Sequence, residues 1–500
     1  MLFPTIRFAI FFAVVLPASW LLLPHGRRWR VFMLAASLLF YASWNDRYVL
    51  LLAASIIGNQ ALAQRIHRSE GPLRKGWTVL AVVLNLAPLG WFKYTGFLSE
   101  SASSLLGWFG IDAHLPVPNV LLPVGISFFT FQALSYVIDV ARRKVEPAAP
   151  IDFAVYLSFF PHLVAGPIVR ARELLPQIAA RRDPRRVDAT LALWLISAGL
   201  FKKVVIASYL AESADALFAF PHQHGGLEAL IGVYAYALQI YADFSGYTDM
   251  AIGIALLLGF RFPANFDAPY SATSLQDFWR RWHMTLSRFL RDYLYIPLGG
   301  SRGPRWRTYF NLLLTMVLGG LWHGAAWTFV IWGALHGGGL AFERWWQERK
   351  QAREPVSVSA RGDTEASDEL VAVGEAPVPH YEISGAAPAR SGGVWVRRII
   401  TFHVICLAWV FFRAGSVHEA LRVLDQVLLH DSQSTINGWV VLVIAGMLAA
   451  QLVPADAVRR LQARISRWSM PAHAAALAFV VVAVDVLGPT GVAPFIYFQF

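Results

Sequence analysis

The sequence predicts an all-α polytopic membrane protein, with ordinary transmembrane helices ringed around half-helices and re-entrant segments. Three observations point there. The chain of 500 residues is 56% hydrophobic and only 15% charged, whereas a soluble globular chain carries about 25% charged residues. Apolar runs near the length of a simple spanning helix, roughly 20 residues, recur from one end to the other. The remaining charges gather in short basic clusters between those runs.

Taken in order, the candidate spans are 3–23, 31–45, 47–63, 77–98, 120–140, 151–168, 190–211, 227–259, 309–321, 322–345, 396–413, 436–453 and 472–488. The first, LFPTIRFAIFFAVVLPASWLLL, lacks a small-residue cleavage site before its basic cluster and reads as a retained span. Several runs are too short to cross alone. Others are broken by Gly or Pro, as in LLPVGISFF and FFPHLVAGP. Irregular backbone at membrane depth survives only when protein covers it or a cavity receives it. Half-helices and re-entrant segments should therefore occupy the centre, ringed by ordinary spans.

The net charge is +11. In an apolar chain this reads as cytoplasmic loops, and no nucleic-acid-binding pattern is present. The basic clusters at Arg27–Arg30, Arg65–Lys75, Arg142–Lys144, Arg170–Arg186, Lys202–Lys203, Arg280–Arg307, Arg344–Arg353 and Arg459–Arg467 should face the cytoplasm. That puts the N-terminus outside and His283 near the cytoplasmic side. Residues 351–394 are rich in Ala, Ser, Gly, Pro and acid and nearly free of aromatics. They predict a disordered cytoplasmic linker that divides a core over 1–350, with its catalytic region about 120–345, from a C-terminal part of the same core over 395–500.

The single cysteine, Cys406, excludes an internal disulfide and reads as a small buried apolar side chain. His222 and His224 lack a third ligand, so they are a weak metal signal, and no metal is expected. No P-loop or GxSxG elbow stands out.

Chemistry concentrates in 275–339. Between Asn311 and Leu340 the only ionisable residues are His323 and His336. An ionisable group in such a run should face protein or water rather than lipid. A neutral imidazole there can take a proton from a hydroxyl or thiol; the plainer alternative is a histidine bonded to a backbone carbonyl. On one continuous helix His336 would point about 220° away from His323, so it pairs with His323 only if the helix breaks. In LQDFWRRWHMTLSRFLRDYL, a helix would line up Trp279, Trp282, His283, Leu286 and Leu290 on one face, with Asp277 and Arg281 paired on another. It is either an interfacial amphipathic helix or one bent inward to bring His283 to the same cavity as His323. In the second case Arg280 and Arg281 suit the phosphates of a nucleotide-bearing acyl donor, and Trp322 and Asp243 join the substrate path. Asp243 and Asp249 lie about 240° apart on a straight helix, and each is expected to bond nearby Tyr, Ser or backbone groups at a helix break.

The segments LLPVGISFFTFQALSYVIDVARRK, FFPHLVAGPIVR, GLFKKVVIAS, YALQIYADFSGYTDMAIGIALLLGFRFPANFDAPY, LQDFWRRWHMTLSRFLRDYLYIPLGGSRG and TMVLGGLWHGAAWTFVIWGALHG closely resemble the membrane-bound O-acyltransferases, within them the bacterial alginate O-acetyltransferase branch of integral-membrane subunits. The ending PFIYFQF is similar too. The resemblance covers nearly the whole chain except 351–394, and it implies a ring of transmembrane helices around a thinned centre with re-entrant half-helices and a trans-bilayer funnel. It implies that His323 in LWHG is the catalytic histidine and His283 in RRWHMTLS the second functional position. It also implies transfer of acetyl from a cytoplasmic donor, acetyl-CoA, across the bacterial inner membrane for O-acetylation of an exported polysaccharide, with periplasmic acetyltransferase proteins as partners. Acylation of peptidoglycan or cellulose, D-alanylation of teichoic acid, and a non-enzymatic acyl or lipid transporter are the alternatives. No resident cofactor is expected.

Overall fold

The computed structural model describes residues 3–112, 115–117, 121–353, 392–429 and 436–488, and among these there are helices, turns and irregular segments but no strand. Most of the expected linker, and the ending PFIYFQF, fall outside the described residues.

Among the described residues, four helices are long and apolar enough to cross a membrane: Arg47–Arg68, Gly71–Trp108, Ala189–Ala219 and Gly393–Arg413. A further pair, Gly438–Ala450 and Ala455–Ile465, is bent by 93°. The other apolar helices are short, such as Ile6–Leu22 and Ile126–Ala141. The run 151–168 becomes a nine-residue helix, Pro150–Ser158, one turn at Phe160–Leu163, and then irregular chain. Residues 153–171 are buried without interruption. Protein thus covers the non-helical backbone, as an apolar solvent requires.

The helices are held by small residues and by polar pairs, the two devices available where lipid is as apolar as leucine. Asn59 on Arg47–Arg68 and Asn85 on Gly71–Trp108 exchange side-chain amide hydrogen bonds of 3.0 and 2.7 Å. Gln60 donates to the Ala148 carbonyl at 2.7 Å and accepts from the Tyr136 hydroxyl at 3.0 Å. Ala189–Ala219 and Gly226–Leu257 run antiparallel, with Gly199 against Gly246 and Ala192 against Gly253.

The expected spans 309–321 and 322–345 are two helices, Arg305–His323 and Trp327–Arg353, separated by Gly324–Ala326. The chain breaks directly after His323 and doubles back. The two helices touch backbone to backbone, since a Cβ on Gly337 would lie 2.7 Å from Leu313 Cα and one on Gly333 2.7 Å from Val317 Cα. Gly337→Ala should therefore pry this hairpin apart and lower stability by about 1–3 kcal/mol. Thermal unfolding of the detergent-solubilised protein measures it; an unchanged midpoint would contradict the close approach.

Candidate active site

His323 is the last residue of Arg305–His323. Its ring is 4% exposed and walled by Trp322, Trp332 and Phe412, with centroids at 4.9, 5.2 and 5.2 Å. These three rings pack directly against the imidazole. The last four carbonyls of a helix lack intrahelical partners, and here all four are satisfied. Gly320 accepts from the Gly324 amide at 3.2 Å. Leu321 accepts from the Tyr94 hydroxyl at 2.7 Å, and Trp322 and His323 accept from the Lys93 ammonium at 2.6 and 2.7 Å.

His283 does not lie within a helix. The predicted continuous helix is two short ones, Leu275–Arg281 and Met284–Leu290, and His283 sits between them at φ 42°, ψ 53°. A left-handed residue other than glycine costs free energy and persists only when its surroundings fix it. Asn265 fixes it. The Asn265 carbonyl accepts from the Met284 amide at 3.0 Å. Its side-chain oxygen accepts from the Thr285 amide at 3.1 Å and the Thr285 hydroxyl at 2.8 Å. That oxygen also lies 3.2 Å from His283 Nδ1. An oxygen bound to a backbone N–H is an acceptor, so Nδ1 carries the proton and Nε2 presents its lone pair. His283 Nε2 is buried and has no hydrogen-bond partner among the described residues. Periodicity could not reveal Asn265, which reaches His283 across irregular chain.

Trp322 joins the two histidines: its ring lies 6.1 Å from His283 and 4.9 Å from His323, and its indole N–H is buried without a partner among the described residues. His336 is drawn near as well, because the helix breaks. Trp332 lies 5.2 Å from His323 and 4.8 Å from His336, and Trp279 Nε1 donates to His336 Nδ1 at 3.3 Å.

Arg280 and Arg281 both lie on the short helix Leu275–Arg281. Arg281 is held by Asp277 at 2.7 Å and Asp267 at 3.8 Å, and Arg280 is exposed. The Asp277–Arg281 pair is as predicted. A second basic cluster gathers around Tyr293. Arg142 and Arg170 both face its ring, at 5.4 and 5.2 Å. Arg170, 2% exposed, bonds Asp292 at 2.7 Å, and Arg288 bonds Glu173 at 3.3 Å. Arg170 Nη2 and Arg288 Nε are buried without a partner among the described residues. A continuous series of rings runs from this cluster to the histidine: Tyr293 to Phe289 at 4.8 Å, Phe289 to Phe131 at 4.1 Å, Phe131 to Trp322 at 5.2 Å, and Trp322 to His323 at 4.9 Å.

Asp243 and Asp249 lie on an unbroken helix, Gly226–Leu257, not at a break. Asp243 pairs with Lys203; Asp249 pairs with Lys202 at 2.6 Å. Lys202–Lys203 is therefore no surface cluster: it lies midway along Ala189–Ala219, where the helix widens into a π turn at Lys202–Ile206. Buried charges find one another because neither can be left alone. His224 contacts Glu228 at 3.0 Å, and Cys406 is buried at 3% exposure.

This arrangement can hold a base in apolar, ring-lined surroundings. The pattern of MBOAT, the membrane-bound O-acyltransferase family, matches residues 75–361. The chain belongs to this family. It is a membrane-bound, multi-pass O-acyltransferase. It is 40% identical to the probable alginate O-acetylase AlgI of Pseudomonas aeruginosa over 405 residues, which covers 80% of this chain and 70% of that protein. It is 38% identical to the peptidoglycan O-acetyltransferase of Helicobacter pylori over 423 residues, 79% of this chain and 73% of that one. It is also 28% identical to the teichoic acid D-alanyltransferase of Bacillus subtilis over 291 residues, 53% and 68% of the two chains.

The two roles open to Asp243 separate cleanly. Lys203→Leu alone strands a buried carboxylate and should cost about 3–5 kcal/mol, whereas Lys203→Leu with Asp243→Leu should recover most of that. If the recovered double variant retains acyl transfer, Asp243 holds helices together; if it folds but is inactive, Asp243 serves the substrate.

Proposed function

We propose that the protein is an inner-membrane O-acetyltransferase that takes acetyl from a cytoplasmic donor, acetyl-CoA, for O-acetylation of an exported polysaccharide such as alginate. The observation that carries this reading is the joining of His323 and His283 through Trp322, with the ring series leading from them to the basic cluster at Tyr293. The donor's phosphates meet Arg170, Arg288 and the exposed Arg142, since guanidinium groups bind phosphate bidentately. Its thioester arm lies along Phe289, Phe131 and Trp322. His323 accepts the proton of the attacking hydroxyl. The new C–O bond forms at the acetyl carbonyl, the C–S bond breaks, and the thiolate leaves and takes up a proton. His283, with Nε2 unprotonated, positions donor or acceptor. Periplasmic modification proteins complete delivery to the polymer.

The alginate relatives support this acceptor. Peptidoglycan is the second reading, because the Helicobacter pylori relative covers as much of the chain. Expressing the protein in alginate-producing cells that lack their own membrane O-acetylase, and weighing acetyl against uronate in the secreted polymer, distinguishes them. Restored acetylation supports alginate. Acetylated muramic acid with unmodified alginate supports peptidoglycan.

Two variants probe the chemistry in reconstituted protein with labelled acetyl-CoA. His323→Ala should lower the rate at least about 100-fold, the lower range for losing a general base. Arg142→Ala should raise KM for acetyl-CoA about tenfold with little change in kcat, as expected for losing one charge-assisted phosphate contact. A full rate in the first variant removes His323 from the reaction; an unchanged KM in the second moves the donor elsewhere.

A further inference from the structure

Lys93 lies in the middle of the long helix Gly71–Trp108, among residues that face lipid: Val83, Leu84, Leu86, Trp91 and Leu98 are all exposed. An ammonium group there is expensive. No carboxylate pairs with Lys93 among the described residues, and its hydrogen bonds go to the Trp322 and His323 carbonyls, 229 and 230 residues away in sequence. Its counter-charge is the negative end of the helix that carries His323. The adjacent Tyr94 adds the Leu321 carbonyl.

We infer that Lys93 is a positioning residue for acyl transfer: with Tyr94 it clamps the last turn of Arg305–His323 and thereby sets the His323 imidazole. This rests on the reading of His323 as the group that acts on the acyl carbonyl. Two facts make the clamp specific to the histidine. The next residues, Gly324–Ala326, are not helical, so no following turn restrains the backbone of His323. From the opposite side the returning helix presses on the same turn, where Gly320 meets the Phe329 carbonyl and tolerates no Cβ. The last turn is thus gripped between the returning helix and the long lipid-facing helix. Release of one jaw leaves the hairpin packed but the imidazole loose. The two roles of Lys93, capping carbonyls and balancing the helix end, both need a cation with several N–H groups. Arginine meets both needs and methionine neither.

The test uses the full chain in nanodiscs, with Lys93→Met, Lys93→Arg and Tyr94→Phe. Transfer from labelled acetyl-CoA gives kcat and KM. Carbethoxylation of His323 by diethyl pyrocarbonate, followed by mass spectrometry of its peptide, reads how firmly the ring is held, and exposed His418 serves as the internal reference. Lys93→Met should lower kcat about thirtyfold with KM for acetyl-CoA unchanged, the effect of losing hydrogen bonds to a charged donor. His323 should be modified about tenfold faster relative to His418, by the same loss. Lys93→Arg should restore most of both, and Tyr94→Phe should shift both in the same direction by less. Wild-type kcat and wild-type labelling in Lys93→Met overturn the inference. If Lys93→Met is not recovered folded, unchanged kcat and labelling in Tyr94→Phe overturn it instead. Should the wild type transfer nothing from acetyl-CoA, the donor assignment fails, yet faster labelling in the variants still upholds the clamp.

Discussion

A helix that ends within an apolar medium presents carbonyls that water cannot reach, and the fold of this protein is arranged around one such end. Carbonyls 320 to 323 must each find a donor, or the break after His323 would cost several kcal/mol per group. The break itself is what makes the site. It frees the imidazole from a following turn, and it lets Trp327–Arg353 return along Arg305–His323 so that Trp332 and His336 arrive beside His323. The glycine contacts of the hairpin and the Lys93–Tyr94 contacts are two halves of one requirement: to terminate a helix in lipid and keep its last residue still.

The same economy governs the other charges. Lys202 and Lys203 face Asp249 and Asp243 across two helices whose glycines bring the backbones together. A buried pair of this kind adds little net stability compared with apolar side chains of like volume. Its value is in register, because a slide of one residue would separate both pairs at once. The π turn at Lys202–Ile206 is the local accommodation that lets consecutive lysines both reach the opposite helix.

Much of this was legible in the sequence, and the remainder was hidden for identifiable reasons. Composition fixes an all-helical membrane chain, and the isolation of His323 in an apolar run marks it. Interrupted runs such as FFPHLVAGP announce buried irregular backbone, and that is what residues 153–171 form. Helical periodicity over 275–290 is real, but it cannot see Asn265, whose bonds to Met284 and Thr285 outweigh two turns of helix propensity and break the segment at His283. Pairings such as Lys203 with Asp243 join residues 40 apart, and a positive-inside count cannot see them. Lys93 did carry a signal, a lone cation within the apolar run 77–98, and the rule that intramembrane charges are costly applies to it as much as to His323.

The series of rings from Tyr293 to His323 bears on direction. An acyl group carried on a large anion cannot enter a lipid-like core whole, because the phosphates cannot be desolvated without partners. The carrier must stay where cations are plentiful while only its thin, uncharged arm extends inward. Under the proposed function, the basic cluster at Arg142, Arg170 and Arg288 would meet the first need and the stacked rings the second. His283, held by Asn265 on an irregular segment, and His323, on a helix end, both adjoin Trp322 at the inner end of that series. Two imidazoles held by independent parts of the fold can each keep a fixed orientation. A single flexible segment carrying both could not.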